Sequence, residues 1–156
     1  MKQLFTFLIL VSYATAGWSQ DLDALRLLYR DATRSEEQAR AFYTPLADVT
    51  KSDKPVLVAY KGAALALLVR YEKLTARGPK VKEAMPWIEQ AVNDDPNNPE
   101  IRLIRLSVQE HLPKFLKYNS NIEADRKFIE QALPTIKDAG LAKMINGYFD
   151  TFSTEQ

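Results

Sequence analysis

Cysteine is absent from this chain of 156 residues, and histidine occurs once, at His111. Disulfides, thiolate zinc sites, cysteine nucleophiles and multi-histidine metal cages are therefore excluded within one chain for want of ligands. A charge excess of either sign is missing too, the formal net charge being +1. A nucleic-acid binder carries a basic excess or stripe, and a binder of anionic membranes carries a basic amphipathic face; neither partner is expected. No apolar run reaches the roughly 18 residues that a membrane span needs. No period-two alternation marks a strand, and no serine sits in a nucleophile elbow. With no catalytic constellation, cofactor motif or metal site to assign, the expectation is a protein that is not an enzyme and holds no cofactor.

What is present starts with an address. Met1-Lys2 gives a short positive start, and Leu4 to Ala14 is apolar except at Thr6 and Ser12. The run then dissolves into Thr15, Gly17, Ser19 and Gln20, which is the shape of a secretory signal peptide. Small residues one and three places before the cut allow cleavage after Ala16 or after Ser19, the second being preferred. Residues 1–19 are thus expected to be removed, leaving 20–156 as one exported domain, periplasmic or secreted. Loss of Lys2 leaves basic and acidic residues equal in number. Without cysteine the new N-terminus cannot be lipidated, so no stable membrane anchor is expected once processing is complete. The composition, 46% hydrophobic and 26% charged, is that of a single globular domain. At about 140 residues it can bury roughly two thirds of its unfolded surface.

Apolar spacing follows the helical period almost throughout. Leu22, Leu25, Leu28, Tyr29 and Ala32 form the face of a first helix. Ser35 with Gln38 has the form of a capping box opening a second, which Pro45 ends or kinks. A third, Val56 to Leu74, is charged up to Tyr71 only at Lys61 and Arg70, so it is expected to be buried on more than one side. Gly78-Pro79 is read as a break and Val81 to Val92 as the fourth helix. Asn93-Asp-Asp-Pro-Asn-Asn-Pro99 is a dense turn signal. Glu100 to Leu112, Ile122 to Ile136 and a stripe from Leu141 to Phe152 complete seven helices. The sequence therefore reads as all-α, with antiparallel hairpins over 21 to 47, 56 to 93 and 99 to 137, and a last helix capping the open end.

An internal echo supports stacking. Trp87-Ile-Glu-Gln-Ala-Val92 recurs as Phe128-Ile-Glu-Gln-Ala-Leu133, displaced by 41 residues, a period of the order of helix-turn-helix arrays. Ala84, Ile88, Ala91 and Pro96 have the 4, 3, 5 spacing of the second half of a tetratricopeptide repeat, and Tyr60, Ala63, Ala64 and Leu67 fit its first helix. Over about 40 residues the chain thus resembles that family (TPR-like). It departs by a longer interhelical segment, by Asp125 at a position that takes a small residue, and by Lys137 where proline is usual. Tyr60-Lys-Gly-Ala-Ala64, Arg102-x-x-Arg105 and Asn121-Ile-x-x-Asp125 also make it similar to a group of exported bacterial helical-repeat proteins of unassigned activity. The resemblance implies a superhelix that binds proteins and transfers no activity.

Candidate sites each have a structural and a functional reading. Arg102, Arg105 and Gln109 share one stripe at i, i+3 and i+7. They form either a guanidinium clamp for a carboxylate or peptide terminus, or a register pin pairing with Glu123 or Asp125; Asp125 is the acid most in need of a partner. His111 beside Glu110 is read as a helix-terminal histidine at the dipole, since adjacent helical residues do not share a face. The acids and amides of 93 to 100 lack the glycine and spacing of a calcium loop and are read as a helix stop and restart. Positions that bind peptides in the resembled family map to Val58, Lys61, Leu65, Leu68 and Val69, of which only Lys61 is polar, so this helix is read as core. Tyr148, Phe149 and Phe152 either pack on the preceding hairpin or dock a partner. The expected function is a non-enzymatic interaction or scaffold module of the cell envelope with an unknown envelope protein or peptide as partner. The alternatives are a carrier of a small ligand or lipid in an apolar cavity between hairpins, and, with no supporting spacing, a hydrolase using paired carboxylates.

Overall fold

A computed structural model describes residues 17–152. Most of the expected signal segment, including the Ala14-Thr15-Ala16 site, lies outside them. The Gly17-Trp18-Ser19 site falls in the first turn of the first helix. Seven α-helices follow in order: α1 Gly17–Asp31, α2 Glu36–Tyr43, α3 Pro55–Leu68, α4 Leu74–Asp94, α5 Pro99–His111, α6 Ile122–Ala132 and α7 Ala139–Phe152. Single 3-10 turns at Thr44–Leu46, Val69–Tyr71, Lys114–Leu116 and Leu133–Thr135 extend or join them. No strand occurs among the described residues.

The helix boundaries have identifiable chemical causes. Ser35 Oγ accepts from Gln38 N at 3.2 Å and starts α2, although Gln38 Oε1 is buried without a partner, so only the backbone half of the capping box forms. Pro55 and Pro99 occupy the first helical positions of α3 and α5, where their fixed φ fits and no N–H is missed. Asn98 Oδ1 caps α5 by accepting from Glu100 N at 3.0 Å and Ile101 N at 3.3 Å. The polar stretch at 93 to 100 is thus a stop and a capped restart.

The break expected at Gly78-Pro79 does not occur: α4 begins at Leu74 and carries Pro79 and Pro86 inside it. Proline costs an internal hydrogen bond by removing an N–H. Here Pro79 and Pro86, and Thr75 and Lys82 whose carbonyls lose a donor, are all exposed, so water can replace the bond. Arg77 ties this early part of α4 to the preceding turn, donating to the Glu72 and Arg70 carbonyls at 3.0 and 2.9 Å.

Consecutive helices pack against each other as α1 on α2, α3 on α4 and α5 on α6. The α3–α4 seam is close at Gly62, where a Cβ would lie 2.6 Å from Ile88 Cγ1 and 3.1 Å from the Ile88 backbone N. At the centre is α5, which touches α3, α4, α6 and α7. Its Ile101, Ile104 and Val108 join the core built on α1 to α4. Leu103 and Leu106 join a second core with Ile129, Leu141 and Ile145. The terminal helix α7 covers that second core and also meets α1.

Candidate functional site

The stripe on α5 is not open to solvent. Arg105 and Gln109 are buried, and Arg102 is partly so. Across the hairpin, Asp125 accepts from Arg105 Nε at 2.7 Å, Arg105 Nη2 at 2.8 Å and Arg102 Nη1 at 2.7 Å. One turn along both helices, Gln109 Nε2 donates to Asn121 Oδ1 at 3.3 Å, and Asn121 N donates to Gln109 Oε1 at 3.2 Å. Residues spaced i, i+4 on α5 thus meet residues spaced i, i+4 on α6, fixing their register. Arg105 Nη1 also reaches Glu89 at 3.0 Å, and Tyr118 donates to the same carboxylate at 2.6 Å. Arg102 Nε donates to the Pro96 carbonyl at 2.9 Å, with its guanidinium 5.1 Å from the Phe128 ring centroid. Burial works to lower the Arg105 pKa, but the hydrogen bonds and charges of Asp125 and Glu89 outweigh it and the net shift is upward.

A second network escaped the sequence reading. Arg26 of α1 donates to Glu100 of α5 from Nε and Nη2, at 2.8 and 2.7 Å. The same guanidinium reaches Asp138 at the start of α7, at 3.1 and 2.9 Å, and Asp23 at 2.8 Å. Tyr60 donates to Glu100 at 2.6 Å. Asp138 Oδ1 also accepts from Leu141 N at 3.0 Å and caps α7. One arginine therefore ties the first, fifth and last helices together. Hydrogen bonding to Glu100, against the opposing effect of burial, raises Arg26 above the ordinary arginine range. The signal was present but unread: Arg26 falls at i+4 from Leu22, inside the apolar stripe of Leu22, Leu25 and Tyr29. A charge on a core-facing stripe demands a partner.

Other singled-out residues are absorbed locally. Lys61 is buried and donates to the Leu46 and Ala47 carbonyls at 2.8 and 2.7 Å, its ammonium 4.5 Å from the Tyr43 ring centroid. His111 Nδ1 lies 2.7 Å from the Ser107 carbonyl, and its ring meets Phe152 edge-on. Tyr148 hydrogen-bonds Glu110, which also accepts from Arg126, and Phe149 lies under the Arg126 guanidinium. Burial raises Tyr29 to about 12 despite its hydrogen bond with Ser107. Burial, followed by the nearby carboxylate, raises Tyr60 beside Glu100, Tyr118 beside Glu89 and Tyr148 beside Glu110.

Two surface features remain. An apolar cavity of about 330 Å³ is lined by Leu22, Leu25 and Leu28 of α1, by Leu46 and Val49, and by Leu57 of α3. A wider groove of about 560 Å³ lies between Gly78, Pro79 and Lys82 of α4 and Phe115, Leu116 and Lys117 of the segment before α6. Leu74, one turn before Gly78, and Phe115 are each 79% exposed.

Chemically, the buried carboxylates are occupied. Asp125 and Glu100 each accept from three donors. No group of three or more His, Asp or Glu side chains able to hold a metal ion occurs among the described residues, and no helix among them is long and apolar enough to cross a membrane. No family model, curated protein or solved structure matches the chain.

Proposed function

We propose that this chain is an exported, non-enzymatic protein–protein interaction module of the cell envelope, built as a TPR-like array of helical hairpins. The observation that carries the reading is where the molecule spends its polar and apolar groups. Its buried charges, Arg26, Lys61, Glu100, Arg105 and Asp125, all have partners within the fold, while Phe115 stands 79% exposed on the wall of a lysine-bearing groove and Leu74, equally exposed, lies one helical turn before Gly78 of that groove. Exposed apolar groups gathered at a concave surface mark interaction sites.

The array reading gains support from positions related by the 41-residue displacement. Lys61 and Arg102 are so related, and each lies over the echoed aromatic of the following helix, 5.8 Å from the Trp87 centroid and 5.1 Å from that of Phe128. Ala64 and Ala84 on α3 and α4 correspond in the same way to Arg105 and Asp125 on α5 and α6. All four are buried. Where one hairpin uses two alanines, the next uses an ion pair, which also supports reading Arg102, Arg105 and Gln109 as a register pin rather than a clamp. The starts of α3 and α5, at Pro55 and Pro99, do not keep this displacement.

Affinity capture of the tagged chain from its native envelope tests the reading. A protein partner recovered in fixed proportion is expected; recovery of the chain alone would overturn it. One observation favours the carrier as a second reading, namely that every residue lining the 330 Å³ cavity is apolar. Saturable enhancement of a fluorescent fatty acid by delipidated protein, lost on Leu28→Trp, would establish the carrier instead.

A further inference from the structure

We propose that the groove between α4 and the segment before α6 docks an acidic stretch of a partner protein that inserts one large apolar side chain. The proposal rests on the interaction-module reading and gives it a surface and a partner chemistry. Helical spacing puts Leu74, Gly78 and Lys82 on one stripe of α4, at i, i+4 and i+8. Across the groove from Gly78 and Lys82 are Phe115, Leu116 and Lys117. Gly78 leaves the floor open, since a Cβ there would meet no heavy atom within 4 Å. An apolar side chain can therefore enter over Gly78, beside Phe115 and Leu116.

Charge selects what accompanies that side chain. Two lysines and no acid line the groove, and Lys114 lies beside it in the chain. Among the described residues Lys82, Lys114 and Lys117 have no ion pair, whereas Lys80 nearby is held by Glu72 at 2.5 Å. In a chain whose arginines are largely matched to acids, unpaired cations around a cleft are available for an external carboxylate. Lys117 further adopts a left-handed backbone, φ 54°, the conformation usual for glycine or asparagine. A concave cleft with one open floor suits an extended peptide. An anionic membrane would instead call for a basic amphipathic face that lies flat on it.

The test uses the full exported chain and a fluorescein-labelled peptide of glutamates around one central phenylalanine, read by anisotropy. Saturable binding is expected, weakened about tenfold or more by Lys82→Glu with Lys117→Glu, and restored in part by exchanging the glutamates for lysines. Gly78→Leu should abolish it while the circular dichroism stays helical, because leucine fits the open floor and favours the helix. Equal binding by wild type and Gly78→Leu, or by peptides with and without the phenylalanine, would overturn the proposal. So would sedimentation with phosphatidylglycerol-containing vesicles in place of peptide binding. If Gly78→Leu still captures the wild-type partner from the envelope, the groove assignment fails and the interaction module stands; if wild type captures nothing, both fail.

Discussion

Arg105 on α5 and Asp125 on α6 meet through two hydrogen bonds of 2.7 and 2.8 Å, around a carboxylate with no solvent exposure. Removing one partner of a buried pair leaves the other charge desolvated and unpaired, at a cost of about 3–5 kcal/mol. Arg102 still pairs with Asp125, so Arg105→Ala should cost about 3 kcal/mol, at the low end of that range, measured by urea unfolding. Adding Asp125→Ala should return part of the loss, since Ala64 and Ala84 are the buried residues at the corresponding positions of α3 and α4. Unchanged stability together with loss of a captured partner would instead make the arginine a ligand clamp.

Arg26 should matter as much to the distant end of the chain as to its own helix. Arg26→Met strips Glu100 and Asp138 of their shared guanidinium, with an expected cost of about 3–5 kcal/mol. Hydrogen exchange should locate the damage: α7 should lose protection before α3 and α4, because Asp138 anchors its first turn and α7 meets α1. Uniform loss of protection would contradict the anchoring role. Tyr60→Phe removes only the hydroxyl donor to Glu100 and should cost about 1–2 kcal/mol.

Two glycines on neighbouring helices should respond in opposite directions. Alanine is favoured over glycine in a helix by about 0.5–1 kcal/mol. At Gly78 nothing obstructs the new methyl, so Gly78→Ala should stabilise by that amount. At Gly62 the methyl would collide with Ile88 Cγ1 and crowd Trp87 Cβ and the Ile88 backbone, and overpacking costs about 1–3 kcal/mol. Gly62→Ala should therefore destabilise overall. Thermal melts of both variants check the pair.

Much of this architecture was legible in the chain before its structure. Helical spacing, the Ser35 cap and the polar turn at 93 to 99 place the elements, because these signals are local. The extension of α4 across Gly78-Pro79 was not legible, since whether a proline ends a helix depends on whether its freed carbonyl faces water. For the Arg26 network the stripe on α1 signals only that a partner is needed; which acids supply it was not legible, because they lie 74 and 112 positions away. Arg102, Arg105 and Gln109 were visible as a polar stripe, but their burial follows from α5 lying at the centre of two cores, which is a tertiary fact.

High pH should unfold the protein through its tyrosines. Tyr29 is raised to about 12 by burial, and Tyr60, Tyr118 and Tyr148 are raised by burial and neighbouring carboxylates. For a group whose folded pKa exceeds the unfolded value, stability is full below the unfolded pKa, about 10 for tyrosine, and falls as pH rises through the folded one. Stability should therefore decline from about pH 10 upward. Absorbance at the tyrosinate band should show these four residues ionising together with the loss of helical circular dichroism. Ionisation well before any unfolding would show that their hydroxyls are not buried as described.

We propose that this chain holds another protein rather than turning over or carrying a small molecule. Native mass spectrometry of the tagged chain, purified from its own envelope without added ligand, tests this most directly. The predicted result is a complex whose mass equals the processed chain plus a defined protein partner, and which dissociates when Gly78→Leu fills the groove. The chain found alone, or carrying only a lipid-sized adduct, would contradict the claim.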